Sequence, residues 1–175
     1  PGNSASGLSG GGAYPANQVV QISATPIAGY VFQNWTGGTV ADANASTTTV
    51  TVSQDLNLTA NFQVVSHLLA VSAGAGGSAT GSGSFSYGAT AQISASPASG
   101  YSFVKWDGNL TFANPFAATT SVTVTQDANL TATFAVSSYV VTTNVSGQGF
   151  ASGAGTYQHG SQVTLSASAL TGNAF

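Results

Sequence analysis

Charged side chains are scarce in this sequence. Its 175 residues include one Lys or Arg and four acidic residues, so 3% are charged and the formal net charge is -3. An ordinary globular domain carries roughly 25% charged residues. The one basic residue, Lys105, cannot neutralise the row of phosphates that a nucleic acid or an anionic membrane surface presents. The composition therefore excludes nucleic-acid binding and polybasic membrane attachment as main functions.

Cysteine is absent altogether, which excludes disulfides, thiolate nucleophiles and thiolate metal sites. No apolar run approaches the roughly 20 residues that a membrane-spanning helix needs, so no membrane insertion is expected. No charged and then apolar leader opens the printed sequence. Stability must therefore come from packing and hydrogen bonds.

Aromatic residues recur in register, which distinguishes the chain from a disordered Gly/Ser linker. The segment 29–35 returns 71 residues later as 100–106, and the segment 50–62 returns 72 residues later as 122–134. We expect the shared aromatic residues to form the core of each copy: Tyr30, Phe32, Trp35 and Phe62 in the first, and Tyr101, Phe103, Trp106 and Phe134 in the second. A repeated pattern of this length predicts tandem copies of one small unit.

The alignment predicts three repeats. Repeat 1 spans residues 1–66 and lacks its N-terminal strand, repeat 2 spans 67–138 and is complete, and repeat 3 spans 139–175 and holds the first half only. In repeat 3, Val141 corresponds to Leu69, Asn173 stands where the other copies have Tyr, and Phe175 corresponds to Phe103. We expect the chain to be a window of a longer array, or a subunit whose ends its neighbours complete.

Each repeat shows the period of β-strands, in which alternate residues face one side of a sheet. Val20, Ile22 and Ala24 are separated by polar residues, for example, and Gly-rich or Asp-containing turn signals divide such runs. The sequence predicts an all-β fold of about six short strands per repeat, all antiparallel or nearly so. The connectors 63–66 and 135–138 are too short to act as flexible tethers.

Three motifs of repeat 2 resemble a known family. They are an aromatic residue with Gly three positions later (85–88), the pattern Ala-x-Pro-x-x-Gly-Tyr-x-Phe-x-x-Trp (95–106), and Thr-Val-x-x-Asp-x-x-Leu-Thr-Ala-x-Phe (123–134). The chain resembles the divergent form of the internalin-type B-repeat over nearly its whole length. The resemblance implies small β-grasp-like or sandwich-like modules of microbial secreted or cell-surface proteins, serving as stalk, spacer or adhesive array.

The resemblance implies no catalytic residues and no cofactor. Members of the original branch carry a short helix before the last strands, but the corresponding segment 108–116 is too polar and is interrupted by Pro. We expect no helix there.

The sequence holds few candidates for chemistry. Trp35 and Trp106 are the residue type that stacks on sugars, but their fixed place after two strand aromatics favours packing. Calcium needs six to eight oxygen ligands, and the four acidic residues are isolated, so turn capping is favoured for Asp55 and Asp127. His67 aligns with Tyr139 and His159 with Tyr87. Neither His therefore belongs to a repeated feature, and no Ser-His-Asp triad or metal site is expected.

Six Asn residues begin Asn-x-Ser/Thr triplets and are candidate N-glycosylation sites in a host with the pathway: Asn34, Asn44, Asn57, Asn109, Asn129 and Asn144. The repeat places Asn57 and Asn129 at equivalent positions, which we expect on the outward face of the last strand. The alternative is that these Asn residues are simply the polar filler of that face. Lys105 corresponds to Asn34, so at most one repeat can carry an intramolecular Lys–Asn crosslink.

These patterns favour a non-enzymatic extracellular structural protein that forms a stalk or filament on a microbial surface. Its expected partners are neighbouring modules or subunits of the same kind, with covalent glycans where the host attaches them. One alternative is an adhesin segment that binds glycans or other surfaces, which requires exposed Trp35 and Trp106. A second alternative is a spacer within a larger secreted enzyme.

Overall fold

The computed structural model describes residues 5–172 and 174, and its side chains from Gly7 onward. Asn173 and Phe175 lie outside the described residues. Within them the chain forms sixteen β-strands and no helix, which confirms the all-β prediction and the prediction for segment 108–116. Across the described ranges, no helix is long and apolar enough to cross a membrane.

Five strands lie in predicted repeat 1: β1 (Ala5–Ser9), β2 (Gln18–Pro26), β3 (Tyr30–Thr36), β4 (Thr47–Val52) and β5 (Thr59–Val64). They form one sheet in the order β1-β2-β4 and one antiparallel pair, β3-β5. The alternation read from the sequence explains β2, because Val20, Ile22 and Ala24 are buried while Gln21 is exposed. One face of β2 thereby supplies the core.

Seven strands follow: β6 (Ser66–Ala73), β7 (Gly77–Thr80), β8 (Gly83–Ser86), β9 (Ala89–Pro97), β10 (Tyr101–Gly108), β11 (Thr119–Val124) and β12 (Ala128–Val136). They form two sheets, in the orders β10-β12-β6-β8 and β11-β9-β7. The sequence predicted about six strands, all antiparallel or nearly so; the repeat has seven, and one pair, β6 with β12, is parallel. Alternation shows that a segment is a strand but carries no information about the direction of its partner. The chain crosses through the whole repeat between β6 and β12, as a parallel pair requires.

Predicted repeat 3 contributes β13 (Ser138–Val141), β14 (Gly149–Ser152), β15 (Gly155–Gln158) and β16 (Ser166–Ala169). They form the antiparallel pairs β13-β15 and β14-β16. Seventy-two residues earlier, β6 to β9 occupy the corresponding positions. The third copy therefore begins with the same strand sequence as the second.

The first two copies repeat their local geometry as well as their strands. The Phe32 and Trp35 rings lie 5.7 Å apart at 53°, and the Phe103 and Trp106 rings lie 5.7 Å apart at 55°. The β3-β5 pairing shifts register just after Phe32, and the β10-β12 pairing shifts just after Phe103. A β-bulge at the same position of both copies re-aims the following side chains in the same way.

The buried apolar residues come from alternate strand positions. In the first copy they are Val20, Ile22, Ala24, Trp35 and Val50; in the second they are Leu69, Ala91, Ile93, Ala95, Trp106, Val122, Val124, Ala128, Leu130 and Ala132. The second copy buries more of its strand positions than the first. Its additional members include residues on β6 and on the first half of β12.

The density of internal contacts divides the chain into two compact units. One contains the described residues up to Leu68 together with Gly83–Thr90 and Thr123–Asp127. The other contains Leu69–Ser82, Ala91–Val122 and the described residues from Ala128 onward. Short segments of the second copy thus group with the first copy, which places the junction between these copies inside one unit.

Candidate functional site: the repeat junctions

Trp35 and Trp106 are buried, with 7% and 2% of their surface exposed. Each indole N–H donates a hydrogen bond of 3.1 Å to a backbone carbonyl, that of Ala45 for Trp35 and that of Ala117 for Trp106. The polar atom of each ring is therefore satisfied inside the fold, as a buried Trp requires. Neither ring offers the exposed face on which a sugar would stack.

The other aromatic residues of the repeated pattern surround the two Trp residues. Phe32 packs edge-on to Phe62 at 5.8 Å, and Phe103 packs in the same way on Phe134 at 5.9 Å. These four rings are half-buried, as is Tyr30, whereas Tyr101 is exposed. The structure thus brings Phe, Trp and Phe together in each copy and leaves the Tyr of the second copy at the surface.

The two junctions between repeats are each made by one residue outside the strands. Val65 stands between β5 and β6; its N–H donates to the carbonyl of Gly29 at 2.7 Å, and its carbonyl accepts from the N–H of Tyr87 at 2.8 Å. Ser137 stands between β12 and β13, with the same two bonds to Gly100 and His159, both at 2.8 Å. Each connector is therefore held on both sides by backbone hydrogen bonds.

A ring pair accompanies each junction. His67 lies 6.2 Å from Tyr87 at 56°, and Tyr139 lies 6.1 Å from His159 at 58°. The two members have exchanged places between the copies. The interpretation that neither His belongs to a repeated feature is therefore wrong: each aligned position compares His with Tyr, and the repetition becomes visible only when both positions are considered as a pair.

Glycine is required where these rings meet the preceding repeat. Gly29 and Gly100 have φ of +82° and +78°, a region that side chains disfavour. A Cβ on Gly29 would collide with the ring of Tyr87, and a Cβ on Gly100 would collide with the ring of His159. The Gly of the Gly-Tyr motif thus serves both the turn and the close approach of the next repeat's ring.

Asp127 also contacts the first junction, at the start of β6. Its carboxylate accepts a hydrogen bond of 2.9 Å from the N–H of Leu68 and lies 3.2 Å from Nδ1 of His67. The bond from Leu68 and the contact with His67 lower the pKa of this exposed carboxyl below its usual value. The sequence predicted a turn-capping role, and the structure adds this contact with the start of β6.

The remaining charged groups include one ion pair and form no larger cluster among the described residues. Lys105 donates to Asp107 at 2.6 Å, and this bond, together with one from Thr133, lowers the pKa of the Asp107 carboxyl. Asp42 accepts from the N–H of Asn44 at 2.8 Å, as in an Asx turn. Within the residues that the structure describes, no group of three His, Cys, Asp or Glu side chains is placed to hold a metal ion.

The candidate glycosylation sites differ in accessibility. Five are exposed: Asn44, Asn57, Asn109, Asn129 and Asn144. Asn34 is half-buried, and its side-chain oxygen accepts a hydrogen bond of 2.9 Å from Asn61. Asn129 lies on β12 as expected, but the prediction that Asn57 lies on the last strand is wrong because β5 begins only at Thr59.

Comparison with known proteins supports the repeated architecture. A family model described as the divergent InlB B-repeat domain matches residues 2–66, 67–138 and 139–175. No curated protein sequence and no solved structure matches the chain. With nearly every residue covered by three consecutive matches, the chain belongs to the divergent InlB B-repeat domain family.

Proposed function

We propose that this chain is a non-enzymatic structural protein, exported from a microbial cell, whose repeats form a stalk or filament on the cell surface. The observation that carries this proposal is that the two junctions between repeats have the same construction. In both places a single residue links two repeats, and its N–H and C=O are both hydrogen-bonded, at Val65 and at Ser137.

A flexible spacer needs several residues whose φ and ψ are free to vary. A connector of one residue has only two soft dihedral angles, and hydrogen bonds on both sides restrict each of them. The ring pair and the close-packed Gly further limit rotation, since any large change separates Gly29 from Tyr87, or Gly100 from His159. Connectors held in this way suit a tandem array better than a flexible spacer.

The low content of charged residues supports an extracellular role. Among the described residues, His67 pairs with Asp127 and Lys105 pairs with Asp107. A fold that depends this little on ionic interactions responds weakly to salt and to pH. A protease that requires Lys or Arg also finds one site only, at Lys105.

The same features support a role without catalysis. Neither His lies in a cluster of three acidic, His or Cys groups within the described ranges, and both His residues are engaged in ring pairs at the junctions. The buried Trp35 and Trp106 argue against glycan binding through these two rings, the basis of the adhesin alternative.

Electron microscopy of the producing cells tests the surface location. Gold-labelled antibodies raised against the purified chain should mark extended material outside the cell envelope, and cells lacking the gene should show no label. Label confined to the cell interior would contradict the proposal.

Spin labels test the fixed junction. Because the chain has no Cys, Thr51→Cys and Thr123→Cys introduce two unique labelling positions, both of them exposed. The double electron–electron resonance distance distribution should be narrow, and a Gly-Ser-Gly-Ser insertion after Val65 should broaden it. Equal widths in the two proteins would show that the junction is already a flexible tether.

A further inference from the structure

We propose that the second repeat is a mechanical clamp, in which the parallel pairing of β6 with β12 carries tension applied along the chain. The inference rests on the proposed structural function, because a stalk or filament on a cell surface bears the drag of the surrounding fluid. It adds a load-bearing role to that function, and it is carried by the direction in which the first and last strands of this repeat pair.

The first and last strands of the second repeat are neighbours in one sheet. The connector residue Val65 precedes β6, and the connector residue Ser137 follows β12. Tension along the chain therefore enters the repeat at the N-terminal end of β6 and leaves it at the C-terminal end of β12. Residues 69–73 of β6 pair in parallel with residues 128–132 of β12. Because the strands run in the same direction, the two loaded ends lie at opposite ends of the ladder.

This geometry loads the ladder in shear. The pull on the start of β6 and the pull on the end of β12 act in opposite directions along the strands, so β6 must slide past β12 to separate from it. The hydrogen bonds of a parallel ladder are evenly spaced, and all of them are then loaded together. If the first and last strands were antiparallel, the two loaded ends would lie at the same end of the ladder, and the bonds would break one after another.

Further hydrogen bonds cross between the two strands. The hydroxyl of Ser72 donates to the carbonyl of Leu130 at 3.2 Å, and its oxygen lies 3.0 Å from Oγ1 of Thr131. One residue beyond the end of β6, the N–H of Gly74 donates to the carbonyl of Ala132 at 2.8 Å. These bonds reinforce the ladder towards the end at which β12 passes the load to the next connector.

The inward face of the ladder is sealed from water. Leu69 on β6 and both Leu130 and Ala132 on β12 have no exposed surface. A hydrogen bond is stronger in surroundings of low dielectric than in water. Sliding β6 past β12 exposes these side chains while it breaks the ladder, so the loss of apolar burial adds to the force that extension requires.

Single-molecule force spectroscopy on the full 175-residue chain tests the clamp by changing only the direction of the pull. Because the chain has no Cys, handles can be attached at introduced pairs, and all the chosen positions are exposed. Ser66→Cys with Ser138→Cys pulls on opposite ends of the ladder. Ser66→Cys with Thr125→Cys pulls on the same end. The unfolding force should be several-fold higher for the first pair than for the second.

The length released on unfolding identifies the repeat that has opened. The attachment points at Ser66 and Ser138 are 72 residues apart. Complete unfolding between them should release about 250 Å of extended chain, at roughly 3.3–3.6 Å per residue, less the distance that separates them in the folded state. An event of this length therefore reports on the second repeat.

Three substitutions, each made in the Ser66→Cys, Ser138→Cys protein, separate the clamp from general stability. Ser72→Ala removes the hydroxyl that joins the two strands and should lower the unfolding force. The matched control Ser78→Ala makes the same change on β7, in the other sheet of the repeat, and should leave the force unchanged.

The third substitution, Val122→Ala, creates a cavity beneath β11, where Val122 is buried. It should lower the free energy of unfolding in urea. Forced unfolding depends on the rate of unfolding, and contacts that are still intact when the ladder breaks have little effect on that rate. Val122→Ala should therefore lower the force less than Ser72→Ala does. Circular dichroism establishes that all the variants are folded.

Three results would overturn the proposal: equal forces for the two directions of pulling, equal forces for Ser72→Ala and Ser78→Ala, or a larger loss of force for Val122→Ala than for Ser72→Ala. Surface labelling of cells together with equal forces in the two directions would refute this inference alone and leave the proposed function standing. A high force in shear together with label confined to the cell interior would refute the proposed function and leave the clamp standing.

Discussion

Leu69 gives the sharpest test of the core of the second repeat. It is fully buried on β6, and its neighbour Leu68 is 62% exposed on the same strand. Leu69→Ala removes three carbon groups from the core, a transfer cost of about 2.4 kcal/mol at roughly 0.8 kcal/mol per group. The cavity left behind raises the loss in the free energy of unfolding to about 3 kcal/mol or more. Leu68→Ala should change it by less than about 0.5 kcal/mol.

The two Trp residues make this measurement specific to one repeat. In a common Trp35→Phe background, the fluorescence comes from Trp106 alone, which lies on β10 opposite Ala132 of β12. Thermal unfolding followed by this signal should show Tm lowered by roughly 12 °C or more for Leu69→Ala, since 1 kcal/mol corresponds to about 4–8 °C in a domain of this size. Similar losses for Leu68→Ala and Leu69→Ala would refute the orientation of β6.

Two further predictions concern the junctions. Gly100 and Gly88 both have φ of +78°, but of these two only Gly100 has a neighbour that an added Cβ would meet, the ring of His159. Urea unfolding should therefore show a larger loss of unfolding free energy for Gly100→Ala than for Gly88→Ala, and the additional loss should disappear when His159→Ala is combined with Gly100→Ala. Equal losses for the two Gly variants would contradict the close approach. The pKa of Asp127 is lowered in the folded state, so its contribution to stability is present above the ordinary value of 3.8 and is lost as the pH falls through the folded pKa. The Asp127→Asn variant should therefore have a lower free energy of unfolding than the wild type at pH 7, and the difference should shrink in acid. A difference that stays constant with pH would refute the role of the Asp127 carboxylate at the junction.

The alternation and the turn signals were sufficient to predict the strands. Val20, Ile22 and Ala24 are buried at every second position as expected, because the side-chain period of a strand is a local property of the backbone. The aromatic spacing likewise predicted two copies of one unit, and the Phe–Trp–Phe clusters repeat with nearly the same distances.

Strand direction and the junctions could not be predicted in the same way. The parallel pairing of β6 with β12 depends on a crossover through the whole repeat, and no local pattern encodes it. Each ring pair, His67 with Tyr87 and Tyr139 with His159, joins residues 20 positions apart. The order of His and Tyr along the chain is reversed between the two pairs. Compared position by position, each exchange looks like a loss of the repeat.

The amino-acid sequence by itself determined that this protein is an array of small all-β repeats, because strand period, turn residues and recurring aromatic residues act over short distances. The tertiary structure alone decided which strands pair and in which direction. In the second repeat β12 lies between β10 and β6, antiparallel to the first and parallel to the second. Pairing across a sheet depends on which distant strand arrives there, and that is settled only when the whole repeat folds.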